Sequence, residues 1–324
     1  MGNIINGDDM QIRLGYVAIS LTLGITASKT MTFSHYQKLK EDKAQRQIDI
    51  KINENFDNLE KILTYNYKNE VHFYRMSHNL IPLATHKSVL FDYIKPYEKR
   101  WERIGNLIKK YHMRVDIHPD EYCVLNSPNI NVLENSVKIL AFGKEIFEAM
   151  GIFGQMVIHV GGAYNNKEEA IERFKTNFRK LDKEIQKMII LENDDKVFGV
   201  KDVLSICEEL KIPMVLDYHH YLCYNDKEDI NDYLPRIFKT WNKNELRPKM
   251  HFSSPKSFKE KRSHSEYIDA CKFMEFLEIL KQYNIDVDVM LECKAKDEAL
   301  FRLVRELKYY TDYVFLDATT LVIS

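Results

Sequence analysis

Short apolar runs alternate along the chain with longer segments whose apolar residues recur every three or four positions. The short runs are typical of buried β-strands, and the longer segments are typical of amphipathic helices that cover a sheet. We expect Asn166 and Ser265 to cap two of the helices. The predicted strands are residues 12–19, 72–76, 113–118, 156–160, 188–192, 213–218, 249–253 and 287–292. The predicted helices include residues 52–66, 97–111, 132–150, 167–186, 200–210, 233–241 and 265–283.

Eight strands, each followed by a helical segment, predict an α/β protein with the (β/α)8 architecture of a TIM barrel. An open doubly wound sheet is the alternative, but it would usually carry a glycine-rich phosphate loop after an early strand. The Gly161-Gly162 pair comes only in the middle of the chain. Because the chain has no linker-like or low-complexity tract, we expect one barrel domain over residues 12–324. To residues 1–11, which form an N-terminal extension, we assign no function.

Composition and charge narrow the class of protein. The 324 residues are 45% hydrophobic and 29% charged, as in ordinary globular proteins. The chain has no apolar run long enough for a transmembrane helix, no signal-peptide pattern at its start, and five cysteines without CxxC spacing. We therefore expect a cytoplasmic protein with reduced thiols. The formal net charge of −1 argues against a generic nucleic-acid binder, so contact with DNA would need local positive charge.

Polar side chains recur where the predicted strands end, on the face of a TIM barrel that carries catalysis. Five of the 11 histidines fall at or just beyond a strand end, and acidic residues accompany them. Chance would instead scatter these residue types along the chain. The candidate metal ligands are His118, His159, Glu192, Asp217, His220, His251, His264 and Glu292.

These residue types favour a site for several metal ions. Neutral imidazoles suit Zn²⁺, Mn²⁺ or iron, and a carboxylate such as Glu192 can bridge two ions. A single histidine near a strand end is more often a hydrogen-bonded core residue, so the prediction depends on the joint pattern. Because neighbouring strand residues point to opposite faces, we expect His219 to pack beside His220 rather than to bind metal. Lys249 precedes His251 by two residues on a strand, so its ammonium group should face the metal site.

The motifs at these strand ends resemble those of the ultraviolet-damage endonuclease family, UVDE/UvsE, a group of TIM barrels related to the endonuclease IV type. The resemblance runs from residue 13 to about residue 303. In chain order its motifs are RLGYVAISLTLG, SHNLIPLATH, DIHPDEYCVLNSP, IHVGGAYNNKEEAIERF, LENDDK, LDYHH, KMHFSSPK with RSH, and MLECKAKD.

The resemblance implies a metal-dependent nuclease that nicks duplex DNA immediately 5′ of cyclobutane pyrimidine dimers and 6-4 photoproducts. Some members of the family also act on abasic sites. The resemblance further implies three divalent ions, with Mn²⁺ as the family's metal, although the ligand set alone would also allow Zn²⁺. The partner would be damaged double-stranded DNA and not a membrane. We expect a monomer that works at the nucleoid ahead of downstream repair proteins.

The resemblance also implies a role for each site residue. The first ion would take His118, His159 and Glu192; the second would take Glu192, Asp217, His251 and Glu292; and the third would take His220 and His264. Catalytic roles would fall to Glu192, Lys249, His86 and Tyr16. Lys249 matches a lysine that the family modifies by carboxylation, which would turn a repelled cation into an anionic partner of the metals.

Four residues would meet the DNA by the same resemblance. Glu121 and Tyr122 match the pair that probes the lesion, and the aromatic face of Tyr122 can replace lost base stacking. Ser20 matches a residue in the loop after the first strand, and Lys256 belongs to a basic loop. Glu121 stands where the family usually has Gln, and Ser20 where it commonly has Asn. Because phosphates repel a carboxylate, we expect lesion affinity or lesion range to differ.

Three other functions remain open at this point. The chain could be a general apurinic endonuclease without preference for photoproducts. It could be a metal-dependent sugar isomerase, a class of TIM barrel that also uses Glu, Asp and His ligands but needs no lesion-probing aromatic residue. It could also be a damage-binding protein without activity, although every expected ligand is present.

Overall fold

The computed structural model describes residues 9–119, 122–225, 227–242 and 246–324. Its strands are β1 (Met10–Val17), β2 (Phe73–Met76), β3 (Arg114–Ile117), β4 (Gln155–His159), β5 (Ile189–Glu192), β6 (Met214–Asp217), β7 (Lys249–Phe252), β8 (Val287–Leu291), β9 (Val314–Phe315) and β10 (Thr320–Ile323). Its α-helices are α1 (Phe33–Tyr36), α2 (Glu41–Lys68), α3 (Glu98–Lys110), α4 (Ile130–Met150), α5 (Lys167–Lys180), α6 (Lys183–Met188), α7 (Val200–Leu210), α8 (Tyr218–Cys223), α9 (Leu234–Thr240), α10 (Ala270–Lys281) and α11 (Lys296–Tyr310).

The strands form a TIM barrel, as the alternation of apolar runs and helical segments predicts. Strands β2 to β8 follow one another in the sheet in chain order, and β1 lies beside both β8 and β2. β3 pairs in parallel with β4, and β5 to β8 and then β1 form a continuous parallel series. All eight predicted strands are present, with ends that differ by no more than two residues.

Within this fold the chain divides into two compact units. The first unit contains the described residues up to Val17, together with Asn69–Tyr74 and Ile190–Ser324. The second unit contains Ala18–Lys68 and Arg75–Ile189. The prediction of one domain over residues 12–324 stays a prediction.

Three neighbouring strands of the first unit are buried along their whole length. Every residue of β6, β7 and β8 is buried, as expected of parallel strands that are covered on both faces. The register places Lys249 opposite Asp288 and His251 opposite Met290. Arg13 of β1 donates two hydrogen bonds to the Asp288 carboxylate, at 2.6 and 2.7 Å. This bidentate pair compensates a fully buried acid inside the unit.

The second unit places its helices tightly against one another. α2 contacts α3, and α3 contacts α4. A Cβ atom at Gly105 of α3 would lie 1.7 Å from the carbonyl oxygen of Met150 at the end of α4, so only glycine permits this approach. Arg75 Nε donates to Asp116 Oδ1 at 3.0 Å, and both side chains are buried. Asp116 therefore belongs to the barrel wall.

One predicted helix is divided in two. Helical spacing predicts a single helix over residues 167–186, but α5 and α6 occupy this segment. Leu181 between them is extended. Asp182 then begins α6, because its side chain accepts hydrogen bonds from the N–H groups of Glu184 and Ile185 at 2.8 and 3.3 Å.

The two predicted helix caps have different outcomes. Asn166 caps α5 as predicted, since its side chain accepts a hydrogen bond from the N–H group three residues later at 3.1 Å. The prediction for Ser265 is wrong, because α10 begins beyond Asp269, which accepts from Lys272 N at 3.1 Å. The Ser265 N–H group instead donates to Ser254 O at 2.9 Å and closes a loop.

The strands β9 and β10 are absent from the predicted elements. β10 runs antiparallel to β1, and β9 runs antiparallel to β10, so both depend on pairing with distant residues. Within the residues that the structure describes, none of the helices has both the length and the apolar composition that crossing a membrane would require.

Candidate metal centre

Four side chains of the first unit converge where β5 to β8 end. Glu192 and Asp217 are the last residues of β5 and β6, His251 lies in β7, and Glu292 directly follows β8. One ligand atom from each residue lies within 4.8 Å of the corresponding atoms of the other three. His251 Nδ1 lies 2.9 Å from Glu192 Oε1 and 3.2 Å from Glu292 Oε1. These four residues are referred to as the acidic cluster.

The parallel register explains why residues so far apart in sequence meet here. Asp217 lies opposite His251, and His251 lies opposite Met290, two residues before Glu292. Carboxyl ends of adjacent parallel strands lie on the same face of a barrel, and residues two apart on a strand share an orientation. Strand-end acids and histidines are thereby brought together without any local sequence motif that joins them.

Asn193, which was not among the predicted site residues, fixes the backbone of Asp217. Its side chain is fully buried, donates from Nδ2 to Asp217 O at 3.0 Å, and accepts from Asp217 N at 2.9 Å. These two hydrogen bonds tie the end of β6 to the end of β5. The available sequence signal was an amide side chain directly after Glu192 in the LENDD motif.

His220 lies on the short helix α8, just beyond the acidic cluster. Its N–H group donates to Asp217 Oδ1 at 2.7 Å, so Asp217 caps this helix. Its ring Nδ1 donates to Asn193 O at 2.9 Å, which leaves Nε2 as the nitrogen that becomes an acceptor when the ring loses its second proton. Histidines that bind metals usually make such a hydrogen bond through the other ring nitrogen. The His264 ring centroid lies 6.3 Å from that of His220.

His219 packs as predicted and has the electrostatics of a neutral ring. It is buried, and its ring lies edge-on to His264 with 5.6 Å between centroids. Burial, together with the neighbouring His264 and His220, lowers the pKa of His219 to about 4. The ring is therefore uncharged at neutral pH.

Charge in the acidic cluster is unbalanced. Burial raises the pKa of the Asp217 carboxyl above its ordinary value, and the Glu192 and Glu292 carboxylates raise it further against the opposing effect of His220. Burial alone would lower the pKa of His220, but the same carboxylates outweigh it and raise that pKa to about 9. Carboxylates that hold a proton so strongly on the partly buried His220 form a site that favours added positive charge.

The donor atoms of the cluster fit a divalent ion. Asp217 Oδ2 is buried and accepts no hydrogen bond from the described residues, and His220 Nδ1 lies 3.7 Å away. A buried carboxylate oxygen without a donor is costly unless a cation compensates it. Three carboxylates and an imidazole are ligands that Mn²⁺ and Zn²⁺ both accept, and no cysteine takes part.

In the second unit, His118 and His159 lie side by side at the ends of β3 and β4. Their ring centroids are 5.3 Å apart, and His118 Nδ1 donates to Pro119 O at 2.8 Å, the arrangement already seen at His220. Asn126 Nδ2 donates to Gly162 O at 2.8 Å, which joins the loops that follow the two histidines. Gly161 has φ +114°, and a Cβ there would lie 2.2 Å from the Asn126 side chain, so the glycine of the IHVGGAY motif is structurally required.

Lys249 is completely buried in β7, two residues before His251. Its Nζ atom lies 5.4 Å from the centroid of the Phe73 ring. A buried ammonium is costly unless charge or hydrogen bonds compensate it. The position agrees with the expectation that Lys249 shares an interior face with the metal ligands.

Two of the residues predicted to lie near the DNA are buried in this structure, namely Tyr16 and Ser20. Tyr16 is fully buried in β1, with its ring 5.2 Å from that of Tyr74. Ser20 is also fully buried, and its Oγ accepts from Leu23 N at 3.2 Å. Ser20 therefore has the contacts of a turn residue, and its contact with DNA stays a prediction.

The other predicted site residues are more accessible. His86 is partly exposed and stacks on Phe33, with 3.8 Å between ring centroids. Tyr122 is 69% exposed, which suits an aromatic side chain that inserts into a duplex. Lys256 is exposed and pairs with Glu260 at 2.8 Å. Glu121, predicted to probe the lesion together with Tyr122, lies outside the described residues.

A model of the family described as UV-endonuclease UvdE matches residues 12–318. The chain belongs to this family. The UV DNA damage endonuclease of Bacillus cereus strain B4264 is 42% identical over 301 residues, which are 92% of this chain and 95% of that protein. The UV DNA damage endonuclease of Bacillus thuringiensis subsp. konkukian strain 97-27 is 39% identical over 315 residues, 96% of this chain and 99% of that protein.

Solved structures agree with the fold. The crystal structure of SacUVDE matches with a TM-score of 0.83 at 35% identity, over 92% of this chain and 98% of that chain. Endonuclease IV from Thermus thermophilus matches with a TM-score of 0.57 at 12% identity, over 92% of this chain and 98% of that chain, and shares the fold alone. Membership of the UvdE family makes this chain a DNA repair endonuclease, and the acidic cluster is its candidate metal site.

Proposed function

We propose that this UvdE-family chain is a metal-dependent endonuclease that nicks duplex DNA immediately 5′ of UV photoproducts, namely cyclobutane pyrimidine dimers and 6-4 photoproducts. The observation that carries the proposal is the acidic cluster, with three carboxylates and an imidazole at the carboxyl ends of β5 to β8. The names of the curated relatives, UV DNA damage endonucleases, support the choice of substrate.

The proposed ligand set extends beyond the acidic cluster. His118 and His159 would hold one ion together with Glu192, and His220 and His264 would hold a third. The hydrogen bonds from Nδ1 of His118 and His220 to backbone carbonyls support this set, because they orient each ring and leave Nε2 as its acceptor. Divalent ions in such a site would lower the pKa of a bound water and neutralise charge on the phosphodiester, and we propose Mn²⁺ as the metal.

Side chains of the protein would orient the carboxylate ligands of the proposed ions. Asn193 holds the Asp217 backbone through two hydrogen bonds, so the carboxylate of Asp217 keeps one direction. Asp217 Oδ1 caps α8 through His220 N, which leaves Oδ2 for an ion. Burial excludes water from the Glu192 and Asp217 carboxylates and strengthens every charge interaction at the site.

Lys249 would act as an anionic partner of the metals after carboxylation of its Nζ atom. Its complete burial beside a site for cations supports this proposal, since an unmodified ammonium there would be repelled. Mass measurement of the intact protein at neutral pH, with Lys249→Met as reference, should show the added carboxyl group. A mass that corresponds to plain lysine would contradict it.

Contacts with the damaged strand would come from the second unit and from the basic loop. We propose that Tyr122 probes the lesion together with Glu121, and that Lys256 contacts phosphates. His86 and Tyr16 would act near the reacting strand, Tyr16 from its buried position in β1. Comparison of Glu121→Gln with the unaltered protein tests the lesion-probing pair, and equal affinity for a dimer-containing duplex would remove Glu121 from the proposal.

A nicking assay tests the function itself. The substrate is a duplex with a single thymine dimer, incubated with Mn²⁺ or with EDTA. We expect one metal-dependent cut directly 5′ of the dimer, which Glu192→Ala abolishes. Cleavage of an abasic duplex alone would favour a general apurinic endonuclease. Failure to cut either duplex would overturn the proposal, and the same preparation can then be assayed for sugar isomerisation.

We further propose that residues 12–324 act as one endonuclease domain, that the protein is a monomer, and that it works in the cytoplasm at the nucleoid ahead of downstream repair proteins. Size-exclusion chromatography with light scattering checks the oligomeric state. Limited proteolysis checks the domain, and a stable fragment much shorter than residues 12–324 would contradict it.

A further inference from the structure

A basic loop, residues 254–265, leaves the carboxyl end of β7 and returns to its starting point. Ser265 N donates to Ser254 O at 2.9 Å, and Lys256 N donates to Ser263 O at 2.7 Å. These two hydrogen bonds close the base of the loop, and the residues between them project from the barrel end.

The basic loop is held close to the acidic cluster. The Lys261 carbonyl oxygen lies 3.6 Å from the sulfur of Cys223 at the end of α8, and Arg262 Nε lies 3.5 Å from Asp195 in the loop after β5. His264 at the end of the loop lies 6.3 Å from His220 between ring centroids. The basic loop is thus anchored on the side of the first unit that carries the candidate metal site.

Charge in this loop is strongly positive although the whole chain is almost neutral. The loop contains four cationic side chains and one carboxylate. Its formal charge is therefore +3, in a protein of net charge −1. All five of these side chains are exposed. The residues are Lys256, Lys259, Lys261, Arg262 and Glu260.

Phe258 lies within this positive segment and is 86% exposed. The ammonium group of Lys261 lies 4.8 Å from the centroid of its ring. A single exposed apolar side chain is ordinary on a protein surface. An exposed aromatic ring among cations is, however, the combination that binds nucleic acid, because the ring stacks on a base while the cations contact phosphates.

We propose that Phe258 is a positioning residue that stacks on a base of the bound DNA beside the cut, while the cations of the basic loop contact the neighbouring phosphates. The inference extends the proposed function, since it takes DNA to be the partner of the acidic cluster. An anionic lipid surface would also attract a basic loop with an aromatic residue. DNA is favoured because the loop is anchored beside the site whose ions would act on a phosphodiester.

Tryptophan fluorescence provides a direct test. The native Trp101 and Trp241 are buried, so Phe258→Trp adds an indole that solvent and DNA can reach. In a Glu192→Ala background, which prevents cleavage, we expect a dimer-containing duplex to quench this indole. Phe153→Trp is the matched control, because Phe153 is 55% exposed but precedes β4 at its amino end. The duplex should leave the fluorescence of the control unchanged.

Affinity and salt dependence give a second test. Phe258→Ala should weaken binding of the duplex at least about fivefold, the lower range of one base–aromatic stack, while Phe258→Tyr and Phe153→Ala should bind like the unaltered protein. Phe258→Ala should leave the dependence of affinity on salt unchanged. Lys259→Ala should reduce the slope of log affinity against log salt by about one unit.

The outcomes separate this inference from the proposed function. If the protein nicks the duplex but Phe258→Ala binds normally and Phe258→Trp is not quenched, the inference is wrong and the proposed function stands. If the unaltered protein neither binds nor nicks the duplex, both are wrong. Quenching by vesicles of anionic lipid, without quenching by DNA, would also overturn the inference.

Discussion

Acidic residues have different partners at the two ends of the strands in the first unit. At the amino ends three acids have a cationic or protonatable partner in the protein: Asp288 with Arg13, Asp286 with Arg247 at 3.0 Å, and Asp317 with His72 at 3.0 Å. At the carboxyl ends, three carboxylates of the acidic cluster share one buried imidazole, with His220 nearby.

This difference separates acids that are paired inside the protein from acids that form the candidate metal site. In a bidentate pair such as Arg13 with Asp288, the guanidinium neutralises the carboxylate, so the pair requires no bound ion. The carboxylates of the acidic cluster raise the pKa of His220 to about 9. The cluster therefore carries an excess of negative charge that added cations would neutralise. The same barrel therefore places internal ion pairs at one end and the candidate metal site at the other.

The largest expected effect is on activity at the carboxyl ends. Glu192→Ala should lower cleavage of a dimer-containing duplex by about a thousandfold or more, because it removes several kcal/mol of charge stabilisation at the metals. Steady-state nicking rates measure the loss. Asp286→Ala, which removes an acid at the amino end, should keep nearly full activity. Equal losses in the two variants would show that the two ends do not differ in this way.

A large effect on stability should appear at the amino ends instead. Arg13→Ala leaves the fully buried Asp288 without its bidentate partner and should lower the free energy of unfolding by about 3 kcal/mol. Urea unfolding measures this change. The activity of the folded fraction should persist at low temperature. A variant as stable as the unaltered protein would contradict the view that this pair holds the unit together.

Metal addition should stabilise the protein through the acidic cluster, the group of ligands that contains Asp217. Mn²⁺ at a hundred times its dissociation constant should raise the free energy of unfolding by about 2.7 kcal/mol. Thermal unfolding of the metal-free protein, with and without Mn²⁺, measures this increment. Arg13→Ala should keep the increment and Asp217→Ala should lose most of it. An increment that survives in Asp217→Ala would place the metal elsewhere.

The smallest effect should be a pH-dependent one at the amino ends. Burial would raise the pKa of Asp317, but hydrogen bonds from His72, Thr319 and Thr320 outweigh it and lower that pKa. The charged carboxylate therefore stabilises the fold above its ordinary pKa, and this contribution disappears as pH falls through the lowered value.

Asp317→Asn should cost about 1 kcal/mol at neutral pH, which is the size of one net hydrogen bond. Urea unfolding at several pH values should show the difference from the unaltered protein shrinking as the pH falls from the ordinary carboxyl pKa through the lowered pKa of Asp317. A difference that is constant across this range would mean that the charge of Asp317 has no part in it.

Much of the acidic cluster was predictable from local patterns. Each ligand stands at the end of an apolar run, and the barrel architecture requires those ends to share a face. Asn193 was not predicted, because its importance comes from two hydrogen bonds to Asp217, 24 residues away. The burial of Ser20 was also missed, since a strand pattern does not tell which residues just beyond a strand are covered by other elements.

The sequence alone determined the order and type of the elements in this protein, the strand ends that carry its ligands and the resemblance that names its family. These features follow from spacing along the chain, where side-chain period and residue type are local properties. Only the tertiary structure decided that β9 and β10 extend the sheet from β1, that α5 and α6 are separate, and that the acids at the two strand ends have different partners. These features depend on which backbone and charged groups, far apart in the sequence, become neighbours in the folded protein.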